Sequence, residues 1–208
     1  MALTDFFSNF HLFARWLHVF AGILWIGHLY FFNFVNLPLQ ASLDDATKKA
    51  VNPKLMPRAL WWFRWGAMIT FLSGLLLFTM GYMYTPGMGF GPSALFSDSS
   101  GMTQRAIWIL MGMALATLMW FNVWFIIWPA QKKLLSGQAA GEEAAALRSR
   151  AALASRINTY SSGPMLYGML AASHYTAINA VTLLVFVLLG LAPIFHAYKC
   201  SPKVGQSV

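Results

Sequence analysis

Four long apolar runs alternate with polar or glycine-rich segments along this chain. Each run is long enough to cross a bilayer as a helix, which takes about 20 apolar residues. They cover residues 11–37, 58–84, 103–128 and 162–197. Pro38 follows the first run, and we expect it to end the first helix because proline cannot continue the hydrogen-bond ladder. The pattern predicts an all-α integral membrane protein with one domain over residues 1–208, a bundle of four transmembrane helices.

The segment between the third and fourth apolar runs is polar but rich in alanine. Residues 131–160 hold Glu142, Glu143 and several arginines among the alanines. Alanine is the best helix former, so we expect an amphipathic surface helix here with its charges on a solvated face. The last apolar run is longer than one span needs, and it either tilts or breaks near Gly168 or Ser173.

The charge distribution predicts an orientation in the membrane. Only 10% of the residues are charged, against about 25% in soluble domains, so the net charge of +8 does not indicate a nucleic-acid partner. Nine of the 14 basic residues cluster in two linkers: Lys48, Lys49, Lys54, Arg58, Lys132, Lys133, Arg148, Arg150 and Arg156. Basic linkers face the cytoplasm. With four spans, both termini would lie on the outer, periplasmic side of a bacterial-type inner (cytoplasmic) membrane.

Three of the five histidines lie at membrane depth within the apolar runs, and they are the strongest candidates for chemistry, whereas His11 and His196 lie at the ends of these runs, where we expect them to be solvated. His18 and His28 belong to the first run and His174 to the last. An ionisable side chain at membrane depth indicates a functional site, although each ring could also simply bond to a neighbouring helix. On one helix, His18 and His28 are about 15 Å apart and roughly 80° apart around the axis, so they cannot hold one small ion together.

Haem b is the first cofactor that would use such histidines. Helix bundles build cofactor sites from side chains on facing helices, and histidine is a common axial ligand of haem iron. We expect His18 and His174 as ligands, with His28 next.

Copper is an alternative for the same residues, but it would favour a nearby cysteine or carboxylate, and no carboxylate lies in a predicted span. A proton relay also lacks the usual Asp or Glu. A single cysteine, Cys200, excludes a C-x-x-C-H haem attachment site.

Several stretches of the chain resemble a known family. RWLHVFAGILWIGHLYFFNFVN resembles the first helix of the N-terminal membrane domain of PuuD-type urate hydroxylases, the membrane urate oxidases linked to cytochrome c. FRWGAMITFLSGLLL, MWFNVWFIIWPAQKKL and ASRINTYSSGPMLYGMLAASHY follow in the same order. More distantly, the first helix resembles CopD and HemJ-like membrane proteins, in which a first-helix histidine is linked to haem or metal. That match falls on His18.

The resemblance implies a membrane redox protein that transfers electrons, with haem b as its cofactor. It also implies partners: the lipid bilayer, a larger membrane complex or a second copy of the chain, and a cytochrome c. The family's C-terminal cytochrome c module has no counterpart here, so we do not expect urate oxidation by this chain alone. If the chain is part of an enzyme, that enzyme is an oxidoreductase. A cofactor-free accessory subunit of a membrane assembly is the alternative function, and copper handling is a further one.

Overall fold

Helices make up most of the structure, a computed structural model that describes residues 5–85, 89–97, 101–175 and 178–206. Its α-helices are α1 (Phe6–Tyr30), α2 (Leu37–Ser42), α3 (Asp45–Phe78), α4 (Gln104–Phe121), α5 (Trp128–Leu135), α6 (Gly141–His174) and α7 (Ala180–Cys200). Within the described ranges, π-helical segments at Phe31–Asn36, Thr79–Met83 and Asn122–Ile127 continue α1, α3 and α4. The predicted all-α class is confirmed.

Short extended segments fill the connection between α3 and α4. They are the two-residue strands β1 (Tyr84–Thr85), β2 (Gly89–Phe90), β3 (Phe96–Ser97) and β4 (Gly101–Met102), with a 3-10 turn at Pro92–Leu95. Strand β1 pairs with β2 and β3 with β4, both antiparallel. Two hairpins of this size add little to a bundle whose described residues are otherwise almost all helical.

The prediction that Pro38 ends the first helix is wrong, because a π-helical segment precedes this proline. After Phe31–Asn36, Pro38 lies in the first turn of α2, where its missing N–H costs no hydrogen bond. The same arrangement places Pro129 in the first turn of α5, after the segment Asn122–Ile127. Each proline therefore continues a long helix instead of stopping it.

Two helix pairs form the body of the bundle. In the first pair, α1 packs along α3, and a Cβ added to Gly66 would lie 3.0 Å from the backbone nitrogen of Trp25. In the second pair, α4 packs along α6, and a Cβ added to Gly112 would lie 3.1 Å from the backbone nitrogen of Met169. Helix α7 also packs against α6. Small residues at these crossings let the backbones approach closely, as in other membrane bundles.

The predicted surface helix between the third and fourth spans forms the first half of α6, so it is not a separate helix. This helix has 34 residues, which corresponds to about 50 Å. The charged side chains of its first half are exposed, as expected of a solvated face: Glu142, Glu143, Arg148, Arg150 and Arg156. Further along, Asn158, Thr159 and Ser162 are each 0% exposed, and these small polar side chains form hydrogen bonds inside the bundle.

A pair of asparagines shows how α6 is held in the bundle. Asn122 Nδ2 donates to Asn158 Oδ1 at 2.7 Å, and Asn158 Nδ2 donates to the Met119 carbonyl at 2.9 Å. A buried amide that lost these partners would cost about 1–3 kcal/mol. The bonds therefore fix the register of α6 against the end of α4.

The predicted fourth span, residues 162–197, is divided between two helices. Helix α6 ends at His174 and α7 begins at Ala180, with Asn179 as the N-cap of α7. The side chain of Asn179 accepts a hydrogen bond from the Thr182 N–H at 2.9 Å. The two helices are antiparallel, so this apolar run crosses the bundle in two directions.

The two termini lie at opposite ends of the bundle. Near the N-terminus, Phe7 packs on Tyr84, just beyond the end of α3, with ring centroids 5.8 Å apart. Near the C-terminus, the Tyr198 hydroxyl donates to Asn33 Oδ1 at 2.9 Å, just beyond the end of α1. Phe7 and Tyr198 therefore lie at opposite ends of the bundle, because dividing the last apolar run into two antiparallel helices adds one crossing of the bundle, whereas the sequence predicts both termini on one side of the membrane.

Four helices among the described residues are long and apolar enough to cross a membrane. They are Phe6–Ser42, Asp45–Met83, Gln104–Leu135 and Ala180–Cys200. Both basic linkers lie at one end of the bundle, where the Arg64 guanidinium carbon of α3 sits 3.8 Å from the centre of the Trp128 ring of α5. The chain is thus built as a multi-pass membrane protein with one strongly basic end.

Candidate functional site

An apolar cavity of about 540 Å³ lies between the α1/α3 pair and the α4/α6 pair. Its volume falls in the range of about 300–1,000 Å³ that is typical of small-molecule sites. Val19, Ile23 and Leu170 line it and are each more than half exposed, at 55%, 66% and 61%. Because these side chains are apolar, the mouth of the cavity suits the hydrocarbon region of a bilayer.

His18 projects from α1 into the wall of this cavity, and its ring is held in one orientation. Nδ1 lies 2.9 Å from the Thr70 carbonyl oxygen and 3.2 Å from Ser73 Oγ. A carbonyl oxygen only accepts, so Nδ1 carries the proton and the neutral ring keeps its lone pair on Nε2. Metal-ligating histidines show the same arrangement, with the other ring nitrogen donating to a backbone carbonyl.

Gly74 leaves the space that the His18 ring occupies. A Cβ added to Gly74 would lie 3.0 Å from His18 Cε1 and 3.4 Å from Nδ1. The ring is therefore fixed on one edge by the Thr70 carbonyl and packed on another against a bare backbone. Both neighbours come from α3, so the α1/α3 crossing sets the orientation of the imidazole.

Methionine side chains line the part of the cavity that the α4/α6 pair supplies. Met113, Met165 and Met169 all contribute to the wall. Met165 is part of the buried core and Met169 packs against that core. Met113 belongs to none of the buried clusters found among the described residues, so its thioether is less restricted by packing than those of Met165 and Met169. A thioether is a soft ligand that suits haem iron or Cu(I).

His28 lies in a different place from His18. Its Nδ1 is 2.7 Å from the Leu24 carbonyl oxygen, one turn earlier on α1. The ring lines a second cavity, a groove of about 470 Å³ between α1 and α3 that also includes Arg58 and Trp62. His18 and His28 therefore do not share one site.

His174 is the last residue of α6, and its side chain is exposed. It is not among the residues that line either cavity. Of the three histidines that the sequence singles out, His18 is the one that lines the large apolar cavity. The sequence predicts His174 as its partner, but the structure does not bring that side chain to the cavity wall.

Copper binding, the alternative, is not supported by a cluster of His, Cys, Asp or Glu ligands in the part of the chain that the structure describes. No three His, Cys, Asp or Glu side chains lie close enough there to hold a metal ion. A copper site usually uses several such groups. A macrocycle that brings its own four nitrogen ligands needs only one or two protein side chains, so it is the kind of group that a lone histidine can hold.

Sequence reasoning missed the residues that fix His18. Thr70, Ser73 and Gly74 follow one another at helical spacing on α3, so they form a small and polar stripe on an apolar helix. That stripe was the available signal. Its pairing with His18, about 52 residues earlier in the chain, follows only from the packing of α3 on α1.

A family model described as urate oxidase N-terminal matches residues 42–91 and 92–200, which is more than half of the chain. The match begins after α1, so it does not include His18. A search of curated proteins and a search of solved structures each found no match.

Proposed function

The chain belongs to the urate oxidase N-terminal family, and we propose that it binds a b-type haem and transfers electrons within a larger membrane complex. The observation that carries this proposal is the geometry of His18. Its Nδ1 is held by the Thr70 carbonyl at 2.9 Å, and its ring lines a large apolar cavity between two helix pairs. A histidine oriented in this way offers Nε2 as a ligand.

The cavity has the properties that a flat, mostly apolar macrocycle requires. Its walls are almost entirely apolar, and it opens between helices instead of at a helix end. Gly22 adds free space, because the nearest atom to an added Cβ would be Thr70 Cγ2 at 3.9 Å. The indole N–H of Trp25, another wall residue, is buried and has no hydrogen-bond partner among the described residues. The indole N–H groups of Trp108, Trp120 and Trp124 are also buried without a partner among the described residues and line neither cavity, so this donor does not by itself indicate a ligand.

Each residue of the site has a distinct part in this proposal. Haem, when bound, supplies a one-electron couple at its iron. His18 would ligate the iron through Nε2. The hydrogen bond from Nδ1 to the Thr70 carbonyl would keep the ring in position and make the Nε2 lone pair a stronger electron donor to the iron. The surrounding apolar side chains exclude water, which stabilises the less charged state of the site.

Met113 is the second ligand in this proposal. It lies on α4, across the cavity from the pair that carries His18, and it is the wall methionine that is not packed into the core.

Changing Met113 to leucine keeps the side-chain volume nearly the same but removes the sulfur. We expect Met113→Leu to keep haem but lose the near-infrared absorption band of a methionine–iron bond in the oxidised protein. Met169→Leu is the matched control and should keep that band. Loss of the band in Met169→Leu instead, or its absence from the unmodified haem protein, would remove Met113 as the ligand.

Gly74→Ala tests the contact between the His18 ring and the backbone of Gly74. The new methyl group would push on Cε1 and Nδ1 and weaken the bond to Thr70. Loss of such a supporting contact typically lowers ligand affinity by about 10- to 100-fold. We expect haem content to fall within that range after purification in detergent, as measured by absorbance per mole of protein. Gly81→Ala is the control, because a Cβ there meets nothing within 4 Å. Equal haem content in both variants would contradict this role for Gly74.

A visible spectrum of the purified protein tests the function as a whole. Oxidised protein should show a Soret band, and reduction with dithionite should sharpen an α-band. A colourless protein with full helix content and no iron on metal analysis would contradict the proposal. That result would favour a cofactor-free accessory subunit, and bound copper would favour copper handling.

The basic end of the bundle faces the cytoplasm in this proposal, as the positive-inside rule requires. The N-terminus then lies on the outer side and the C-terminus on the cytoplasmic side, since Phe7 and Tyr198 lie at opposite ends. The electron partner is another subunit or a cytochrome c.

A further inference from the structure

A groove of about 470 Å³ between α1 and α3 adjoins the cavity that His18 lines and shares Ile23 and Gly27 with it, but the polar groups in its wall are different. Most of its wall is apolar and includes Leu24, Phe31 and Leu55. Two side chains in the wall, His28 and Arg58, carry titratable groups. An apolar channel with a cation in its wall suits a ligand that has a long apolar part and an anionic head.

Arg58 is a cation without a carboxylate partner among the described residues. The ion pairs found there join Lys48 to Asp45 and Lys133 to Glu143. One nitrogen of Arg58 donates to the Lys54 carbonyl oxygen, which leaves most of its five N–H donors available. Arginine binds phosphate oxygens through such donors.

The depth of the groove matches the headgroup region of a bilayer. Trp61, Trp62 and Trp65 follow Arg58 on α3 and are each at least 40% exposed. Exposed tryptophans gather at the membrane–water interface. Trp62 itself lines the groove, so the Arg58 end lies at headgroup level and the Ile23 end lies deeper.

His28 adds a second polar atom inside the groove. Because its Nδ1 donates to the Leu24 carbonyl at 2.7 Å, the neutral ring has Nε2 as an acceptor. A glycerol hydroxyl group is a donor of matching chemistry. The groove therefore offers donors for a phosphate at Arg58 and an acceptor for a hydroxyl at His28.

We propose that this groove binds one anionic phospholipid, with its phosphate on Arg58 and one acyl chain along the apolar wall. Basic pockets between membrane helices bind such lipids, and the end of the bundle that carries Arg58 is also the end with both basic linkers. Phosphatidylglycerol has both the phosphate and the hydroxyl groups. The proposal does not depend on haem, so it stands or fails separately from the proposed function.

Native mass spectrometry of the delipidated full chain tests this site. We expect one phosphatidylglycerol molecule to bind more tightly than phosphatidylcholine. Arg58→Gln should weaken phosphatidylglycerol binding roughly fivefold, the effect of losing one interfacial cation. Arg148→Gln is the matched control, because Arg148 is an exposed cation on α6, near the same basic end, and does not line the groove. Equal weakening in both variants would overturn the proposal, because it would indicate general attraction by charge.

A second variant tests the apolar wall of the groove while the charge of Arg58 is kept. Leu55→Trp keeps Arg58 but narrows the apolar wall, so it should also weaken phosphatidylglycerol binding if an acyl chain lies there. Melting temperatures close to that of the unmodified protein confirm that both variants fold. Deacylated glycerophosphoglycerol should not displace the lipid at equal concentration. Unchanged binding in Leu55→Trp, or full displacement by the deacylated compound, would contradict a lipid site.

Discussion

His18→Ala is expected to lower the haem content of the purified protein by at least about tenfold, because it would remove the proposed iron ligand together with its supporting bond to Thr70. The imidazole ring leaves a hole that opens into the cavity, so free imidazole can enter it. Added imidazole should restore part of the spectrum if the ring acts as a ligand. The measurement is the absorbance of the Soret band per mole of protein, before and after imidazole.

Two other histidines provide the controls for this experiment. His28 lines a different groove and His174 is exposed at the end of α6, so His28→Ala and His174→Ala should keep the full spectrum. The sequence alone predicts a part in cofactor binding for both. A full spectrum in His18→Ala would remove His18 from the ligands, and loss of haem in His174→Ala would favour the pairing that the sequence suggests.

Gly163→Ala is expected to destabilise the bundle by about 3 kcal/mol, because the α6/α7 crossing has no room for a methyl group. The Cβ of such an alanine would overlap the Gly190 carbonyl oxygen. The contact is mutual, since a Cβ on Gly190 would lie 2.6 Å from the Pro164 nitrogen. Backbone atoms cannot rotate away as a flexible side chain can, so α7 must move as a whole. The measurement is the denaturant midpoint of the protein in detergent.

Gly27→Ala is the matched control for this prediction. Gly27 also lies in a long helix, but a Cβ there meets nothing within 4 Å. Alanine is a better helix former than glycine, so this variant should be as stable as the unmodified protein or up to about 1 kcal/mol more stable. Equal midpoints for Gly163→Ala and Gly27→Ala would show that the close approach of α6 and α7 is not essential to the fold.

The long apolar runs made the membrane class and the positions of α1, α3 and α4 predictable. The helix ends were less predictable, because Pro38 and Pro129 follow π-helical segments that composition does not reveal. The last run was harder still. Its length allowed either a tilted span or a break near Gly168 or Ser173, and in the structure α6 ends at His174 while Asn179 and the Thr182 side chain cap α7.

The position at which α6 passes from its solvated half into the bundle could not be predicted, for a related physical reason. Charges end at Arg156, and the following small polar residues could equally face water or hydrogen-bond inside a bundle. Asn158 does the second, with partners 36 and 39 residues away in the chain. Sequence spacing cannot distinguish exposure to water from burial in the bundle, because small polar side chains find hydrogen-bond partners in both places.

The candidate site was half predictable. An ionisable ring at membrane depth pointed to His18 from the sequence alone. Its hydrogen bond to Thr70 and its packing on Gly74 depend on how α3 crosses α1, and Met113 comes from a third helix. Contacts between distant segments of this kind are set by packing, which no local pattern encodes.

A high-resolution density map of the purified protein in a lipid nanodisc tests the haem site most directly. The account predicts flat porphyrin density in the cavity between the α1/α3 and α4/α6 pairs, with iron bonded to His18 Nε2. Acyl-chain density or packed side chains in that space, with the His18 ring bonded only to Thr70 and Ser73, would contradict it.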